Sequence, residues 1–296
     1  METAKLRGIH VPLITPFTAD GRLDRAALEK LAHGVLDEGA AGLVALGTTG
    51  EPGALDAAEQ AAVVGICARV CAERGAALLV GVGGGATRQV AAALQDVTPG
   101  ATAALTLVPP FVRPGAAGVL AHFRELTAAS PVPLVAYHIP YRTGQALDAE
   151  TLRELASVPG MAGVKLATGA VDPEVVALLA GELPPHFAVL GGDDVVLPPL
   201  LALGAAGGIL ASAHIATARW VELVDAWQAG DVARARELGH RLSRLAAALF
   251  AEPNPTVIKG VLHARGRIPS PAVRLPLLPA NAASVSRALD LAVSTG

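Results

Sequence analysis

Short runs of Val, Ile, Leu and Ala recur along the chain at "GIHVPLIT", "AGLVAL", "ALLVGV", "AALTLVP", "VPLVAYHIP", "GMAGVKLA", "FAVLGGDD" and "GGILASAH". They are almost continuously apolar rather than alternating, the pattern of strands buried on both faces of a parallel sheet. Between them lie segments with apolar positions at helical spacing, such as "LDRAALEKLAHGVLDEG", "DAAEQAAVVGICARVCAERG" and "AETLRELASVPG". One strand and one helix together take roughly 20 to 35 residues, the size of a βα unit.

Eight such runs predict an α/β fold, a (β/α)8 TIM barrel, which usually needs about 250 residues. An open doubly wound sheet is the competing architecture; it would need edge strands, and no run looks like one. The runs end near His214, and four helical segments follow: "ATARWVELVDAWQAG", "DVARARELGHRLSRLAAALFAE", "TVIKGVLHARG" and "ANAASVSRALDLAVSTG". The first belongs to the barrel and the other three form a C-terminal extension. The expected division is a catalytic barrel over residues 1–230 and a helical extension over 231–296 packed on it.

Composition narrows the function. Of 296 residues, 52% are hydrophobic and 17% charged, and 23 Lys and Arg against 26 Asp and Glu leave a net charge of −3. That balance gives no basic footprint for nucleic acid or an anionic membrane. The mean hydropathy of +0.48 reflects abundant small residues, and no run of about 18 uncharged apolar residues with flanking anchors stands out as a membrane span. "METAKLRGIH" lacks an apolar h-region, so no signal peptide and a cytoplasmic location are expected. Cys67 and Cys71, four apart on a predicted helix, read as small core thiols.

Barrel enzymes place their chemistry at the C-terminal ends of the strands and on the loops that follow. Lys165, within "GVKLATG", is the first residue to weigh. Strand alternation puts Gly163, Lys165 and Ala167 on one face and Val164 and Leu166 on the other. The branched pair would face the helices and the lysine the barrel interior. A structural lysine would pair with a buried carboxylate or reach for the rim. A desolvated one loses its proton easily and becomes a nucleophile for a ketone, giving a protonated imine that stabilises an adjacent carbanion. Tyr137, on the preceding strand, could carry the protons this chemistry moves, or could be an ordinary buried tyrosine. "GTTGE" offers the backbone N–H groups and the hydroxyls of Thr48 and Thr49 as a carboxylate nest, or is a plain βα turn. Arg142 in "YRTG" could grip a substrate carboxylate in a bidentate pair.

Other signals are weaker. "GVGGGA" fits a dinucleotide fingerprint only formally, because the next strand ends in "LVPP" with no acidic residue. Asp193 and Asp194 have no histidines at ligand spacing, so no metal is expected, and helix capping is the expected role. His138 falls on the opposite strand face from Tyr137 and reads as packing.

Taken together, "GTTGE", "YHIPYRTG", "GVKLATG", "GGDD" and "EPNPTVIKG" resemble the dihydrodipicolinate synthase / N-acetylneuraminate lyase family, over essentially the whole chain. The resemblance implies a metal-free class I lyase with no cofactor beyond a covalent imine between Lys165 and pyruvate. It implies that Tyr137 donates and accepts protons, that Thr48 relays them, and that the Thr49 region binds the pyruvate carboxylate. Gly192 and Ile209 match backbone positions lining the pyruvate pocket, and Arg142 matches the arginine serving the carboxylate of the aldehyde partner. The implied assembly is a homotetramer, a dimer of tight dimers, acting on pyruvate and an aldehyde.

The chain departs from the synthase pattern at Phe111, where a tyrosine usually crosses the dimer interface to complete the relay. Ala57, Gly85, Gln89 and Pro110 replace the groups that hold inhibitory lysine in regulated synthases, so insensitivity to lysine is expected. The most specific reading is a synthase joining pyruvate to aspartate semialdehyde. Alternatives are a 2-keto-3-deoxy sugar acid or hydroxy-oxoacid aldolase or dehydratase of the same family, and, from another class, a catalytically idle 2-keto acid binder.

Overall fold

The computed structural model describes residues 6–295, so the Met1–Lys5 part of the stretch read for a leader lies outside the described residues. Eight parallel strands follow one another in chain order and close into a barrel. The expected (β/α)8 architecture with helices after the last strand is thus observed. Within it the chain forms two compact units, residues 6–7 with 79–208, and residues 8–78 with 209–295.

The first unit holds most of β3 (Ala77–Val82), then α3 (Thr87–Gln95), β4 (Ala103–Leu107), α4 (Gly115–Ala129), β5 (Leu134–His138) and the short α5 (Pro140–Thr143). It continues through α6 (Ala149–Ala156), β6 (Met161–Leu166), α7 (Pro173–Ala180), β7 (Ala188–Gly191), α8 (Leu197–Ala202) and the start of β8 (Gly207–Ile209). Every residue of β5, β6 and β7 is buried, which is why these runs carry no polar alternation. Asp148 and Asp172 start α6 and α7 by accepting from the backbone N–H of Thr151 and Val175. Gly163 has a packing reason: a Cβ there would run into the Ala188 carbonyl across the β6–β7 ladder.

The second unit holds β1 (Gly8–Pro12), α1 (Arg25–Asp37), β2 (Gly42–Ala45) and α2 (Ala57–Arg74). To these it adds α9 (Ala213–Ala229), α10 (Val232–Leu249), α11 (Thr256–Ala264) and α12 (Ala282–Thr295). Asp56 and Glu59 form a reciprocal capping box at the start of α2. The C-terminal helices are not loose additions. Leu245 and Leu249 of α10, Val257, Ile258, Val261 and Leu262 of α11, and Ala288 and Ala292 of α12 share one buried cluster with Ile14 and Leu31. Cys67 and Cys71 are free and buried, with burial pushing their thiols up to about 12 and about 11, so they are core residues as expected. No helix among the described residues is long and apolar enough to cross a membrane.

Candidate active site

Within the first unit, β5 and β6 deliver their key side chains side by side. Tyr137 and Lys165 are register partners on the two parallel strands, each one residue before its strand's C-terminal end. Lys165 Nζ lies 4.1 Å from the centre of the Tyr137 ring. The amine rests on the electron-rich face of the phenol, which attracts a cation without supplying a counter-ion.

Lys165 is 7% exposed, and its pKa is brought from the usual 10.5 to about 8. Desolvation is the main cause; Asp194, Asp193 and Tyr141 oppose it, and Arg142 adds to it. Among the described residues Lys165 makes no salt bridge. A group in that state exchanges its proton near neutrality and offers a lone pair to an electrophile.

Gly192 completes this side. A Cβ at Gly192 would sit 2.8 Å from Lys165 Cε and Cγ, so only glycine lets the β7 end close on the lysine stem. Its own N–H donates to the Leu166 carbonyl at 2.6 Å. The sequence matched Lys165, Tyr137 and Gly192 to one family site, and the structure brings the three together.

Asp193 departs from its expected role. It precedes a single 3-10 turn, Asp194–Val196, without capping it, and its carboxylate accepts from the Gly169 N–H at 2.5 Å. This ties the loop after β6 to the loop after β7. Burial raises the Asp193 pKa, with Gly169, Lys165 and Arg142 pulling the other way. Arg142 itself is exposed on α5, its guanidinium 5.6 Å from the Tyr141 ring centre. His138 is buried on the other strand face, its pKa lowered to about 4 by desolvation, in keeping with packing.

Thr48, Thr49 and Ile209 belong to the second unit. Thr48–Gly50 form a 3-10 turn after β2, flanked by Leu46 at φ 55° and Glu51 at φ 54°. Two non-glycine residues in the left-handed region bracketing four residues mark a turn whose surroundings over-determine its shape. Thr49 is buried, and its Oγ1 accepts from Asn254 Nδ2 at 2.9 Å. Ile209 ends β8 and is buried.

A second buried lysine was missed in the sequence. Lys259 on α11 is fully buried and donates to Glu51 Oε1 at 2.5 Å and to the Ala272 carbonyl at 2.9 Å. Its Nζ lies 4.1 Å from the Phe17 ring centre. Burial also lowers its pKa to about 8, with Glu51 opposing. The two lysines are nevertheless unlike: Lys259 is committed to a carboxylate in hydrogen-bond contact, and Lys165 is not. The signal in the sequence was a lone lysine in "TVIKGVL", on a helix otherwise buried on all sides.

No group of three or more His, Cys, Asp or Glu positioned for a metal occurs among the described residues. A family model described as the dihydrodipicolinate synthetase family matches residues 5–292. The 4-hydroxy-tetrahydrodipicolinate synthase of Synechococcus elongatus is 39% identical over 273 residues, covering 91% of this chain and 90% of that protein. Among solved structures, the chloride-inhibited dihydrodipicolinate synthase of Acinetobacter baumannii complexed with pyruvate is 34% identical with a TM-score of 0.90, over 97% of this chain and 99% of that one. A monomeric dihydrodipicolinate synthase variant gives a TM-score of 0.92 at 27% identity, over 98% and 97% of the two chains. A likeness that spans nearly every residue, from the first strand to the last helix, is one of common descent and not of barrel architecture alone: the chain belongs to the dihydrodipicolinate synthetase family.

Proposed function

We propose that this protein is a pyruvate-dependent Schiff-base lyase of the 4-hydroxy-tetrahydrodipicolinate synthase type, condensing pyruvate with an aldehyde. The reading rests above all on one observation: a buried amine with its pKa lowered to about 8 lies against the phenol of its register partner. The synthase names of the similar proteins agree with it, as does the pyruvate in the Acinetobacter neighbour.

In this mechanism the neutral Lys165 amine attacks the pyruvate keto carbon, and loss of water gives the imine. Tyr137 supplies a proton to the departing oxygen and later takes one from the methyl group. The protonated imine accepts the electron pair left behind, giving an enamine. The enamine carbon attacks the aldehyde, whose oxygen receives a proton, and water then releases the product and regenerates the lysine. Thr48 is assigned the proton relay and the Thr49 region the pyruvate carboxylate. Gly192 and Ile209 are assigned to the pocket lining and Arg142 to the far carboxylate of the aldehyde. The reaction needs no metal and no cofactor besides the covalent imine.

The same proposal places the protein in the cytoplasm as a homotetramer of tight dimers, without nucleic acid or membrane partners. The barrel of residues 1–230 carries the chemistry, and residues 231–296 form the extension. A second reading has a specific observation behind it. Phe111 lacks the hydroxyl that completes the synthase relay, which favours a 2-keto-3-deoxy sugar acid or hydroxy-oxoacid aldolase or dehydratase.

Borohydride reduction in the presence of pyruvate, followed by mass analysis, tests the proposal. A pyruvyl adduct on Lys165, absent from Lys165→Ala, is expected. Intact protein after reduction would overturn the reading in favour of an idle binder. Screening aldehydes and 2-keto-3-deoxy acids for pyruvate consumption or release then separates synthase from aldolase.

A further inference from the structure

The Thr48–Gly50 turn is held from several directions by groups that the mechanism does not use. Thr15 Oγ1 donates to the Gly50 carbonyl at 2.7 Å. Glu51, next in the chain, is tied through Oε1 to Lys259 and through Oε2 to the Arg274 N–H at 3.0 Å. Arg274 stacks over Phe17 at 4.3 Å. Its guanidinium grips both oxygens of Glu59 at 2.6 Å and the Ala54 carbonyl at 2.7 Å. These contacts fix the backbone of the turn. None of them fixes the Thr49 hydroxyl, a rotatable donor on the turn.

Asn254 does. A threonine hydroxyl has one proton and two lone pairs. Because Asn254 Nδ2 donates to Thr49 Oγ1, one lone pair is occupied and the proton must point elsewhere. A hydroxyl in that state is a committed donor, which is what a carboxylate requires. We propose that Asn254 is a positioning residue: its amide orients the Thr49 O–H so that the hydroxyl donates to the carboxylate of the bound 2-keto acid. This rests on the pyruvate-binding role proposed above for the Thr49 region. The opposite amide orientation, with Asn254 Oδ1 accepting from Thr49, would turn the hydroxyl's proton away from the ligand.

Asn254→Ala and Asn254→Asp separate the two. Aspartate matches asparagine in shape but only accepts when ionised. It would draw the Thr49 proton to itself and set a negative charge beside the carboxylate site. The readout is the pyruvate concentration giving half-maximal borohydride trapping on Lys165, which requires no knowledge of the aldehyde, together with the trapping rate at saturation. We expect the half-saturating concentration to rise about tenfold in Asn254→Ala, the size of one lost hydrogen bond to a charged group. It should rise further in Asn254→Asp, while the saturated trapping rate stays within about twofold in both.

A merely structural role predicts the reverse order, with the isosteric aspartate milder than alanine, and that result would overturn the proposal. Unchanged half-saturation in both variants would overturn it as well. If the wild-type protein does not trap pyruvate, the reading of the site fails, a result distinct from wild-type trapping whose half-saturation ignores position 254. Thermal melting of both variants confirms that the protein compared is folded.

Discussion

Lys165 and Tyr137 face each other across the β5–β6 ladder, with the amine 4.1 Å from the ring centre, so amine and phenol are set by strand register and not by a loop. Strand-borne groups are held more tightly than loop-borne ones, and proton transfer is sensitive to small displacements.

Imine formation should depend steeply on pH. Only the neutral amine attacks a ketone, and the folded-state pKa is about 8. The rate of pyruvate trapping at limiting pyruvate should rise about tenfold per pH unit below that value and level off above it. A rate that kept climbing at the same slope beyond pH 9 would show that the amine is not desolvated.

The same group affects stability. Below the folded pKa both states hold the proton, and the folded state bears the full cost of burying it. Between about 8 and 10.5 the unfolded state holds more protons, so this part of the stability rises with pH. Lys165→Met should therefore stabilise the protein at pH 7, by at most about 3 kcal/mol, since each tenfold change in proton affinity is worth about 1.4 kcal/mol. The gain should shrink as the pH approaches 10.5. Urea unfolding of both proteins at pH 7 and pH 10 checks the sign.

Tyr137→Phe keeps the ring face under the amine and removes the hydroxyl. Imine trapping should persist, while turnover should fall by about 10²–10⁴, the usual worth of a positioned acid–base group. Single-turnover trapping and steady-state rates, measured side by side, separate the two effects. Unchanged turnover would remove Tyr137 from the proton path.

The Glu51–Lys259 pair is expected to matter for folding. Lys259→Met leaves the Glu51 carboxylate buried without its cation, which costs about 3–5 kcal/mol. Adding Glu51→Gln removes the orphaned charge, so the double variant should recover much of that loss in denaturant unfolding. Additive losses would mean that the pair does not act as a unit.

What could be read from the chain beforehand followed from local pattern. Continuous apolar runs named the strands, and two-residue alternation placed Lys165 inward. Register could not be read, yet it is what puts Lys165 beside Tyr137 and not a residue earlier or later. Glu51 and Lys259 are 208 positions apart, and no periodicity links a turn after β2 to a C-terminal helix. Asp193 was misassigned for a related reason. An aspartate before a helical segment usually caps it, but the tertiary approach of Gly169 offered its carboxylate a better donor.

Insensitivity to lysine is expected from the family resemblance, which matches the positions that hold inhibitory lysine in regulated synthases to four residues of this chain. Ala57, Gly85, Gln89 and Pro110 include no charged group to hold an amino acid's ammonium or carboxylate. Activity should be unchanged by millimolar lysine, and inhibition in that range would show that other residues have taken over the site.

Phe111 combines two unfavourable features in one residue. It is 87% exposed, and it sits at φ 68°, where a bulky side chain is strained. Its N–H donates to the Thr143 carbonyl at 3.2 Å, which holds the backbone there, but nothing among the described residues covers the exposed ring. A second copy would, as the proposed tight dimer requires. Phe111→Gly should then act in opposite directions. It should relieve the backbone strain and stabilise the isolated chain by about 1 kcal/mol, while weakening self-association by removing a buried ring. Sedimentation velocity over a dilution series and unfolding at low concentration read the two effects separately. Phe111→Tyr restores only the hydroxyl, so it should raise turnover without changing assembly if the relay is completed from this position. Association that is untouched in Phe111→Gly would remove the ring from any interface, and the relay argument at Phe111 would fall with it.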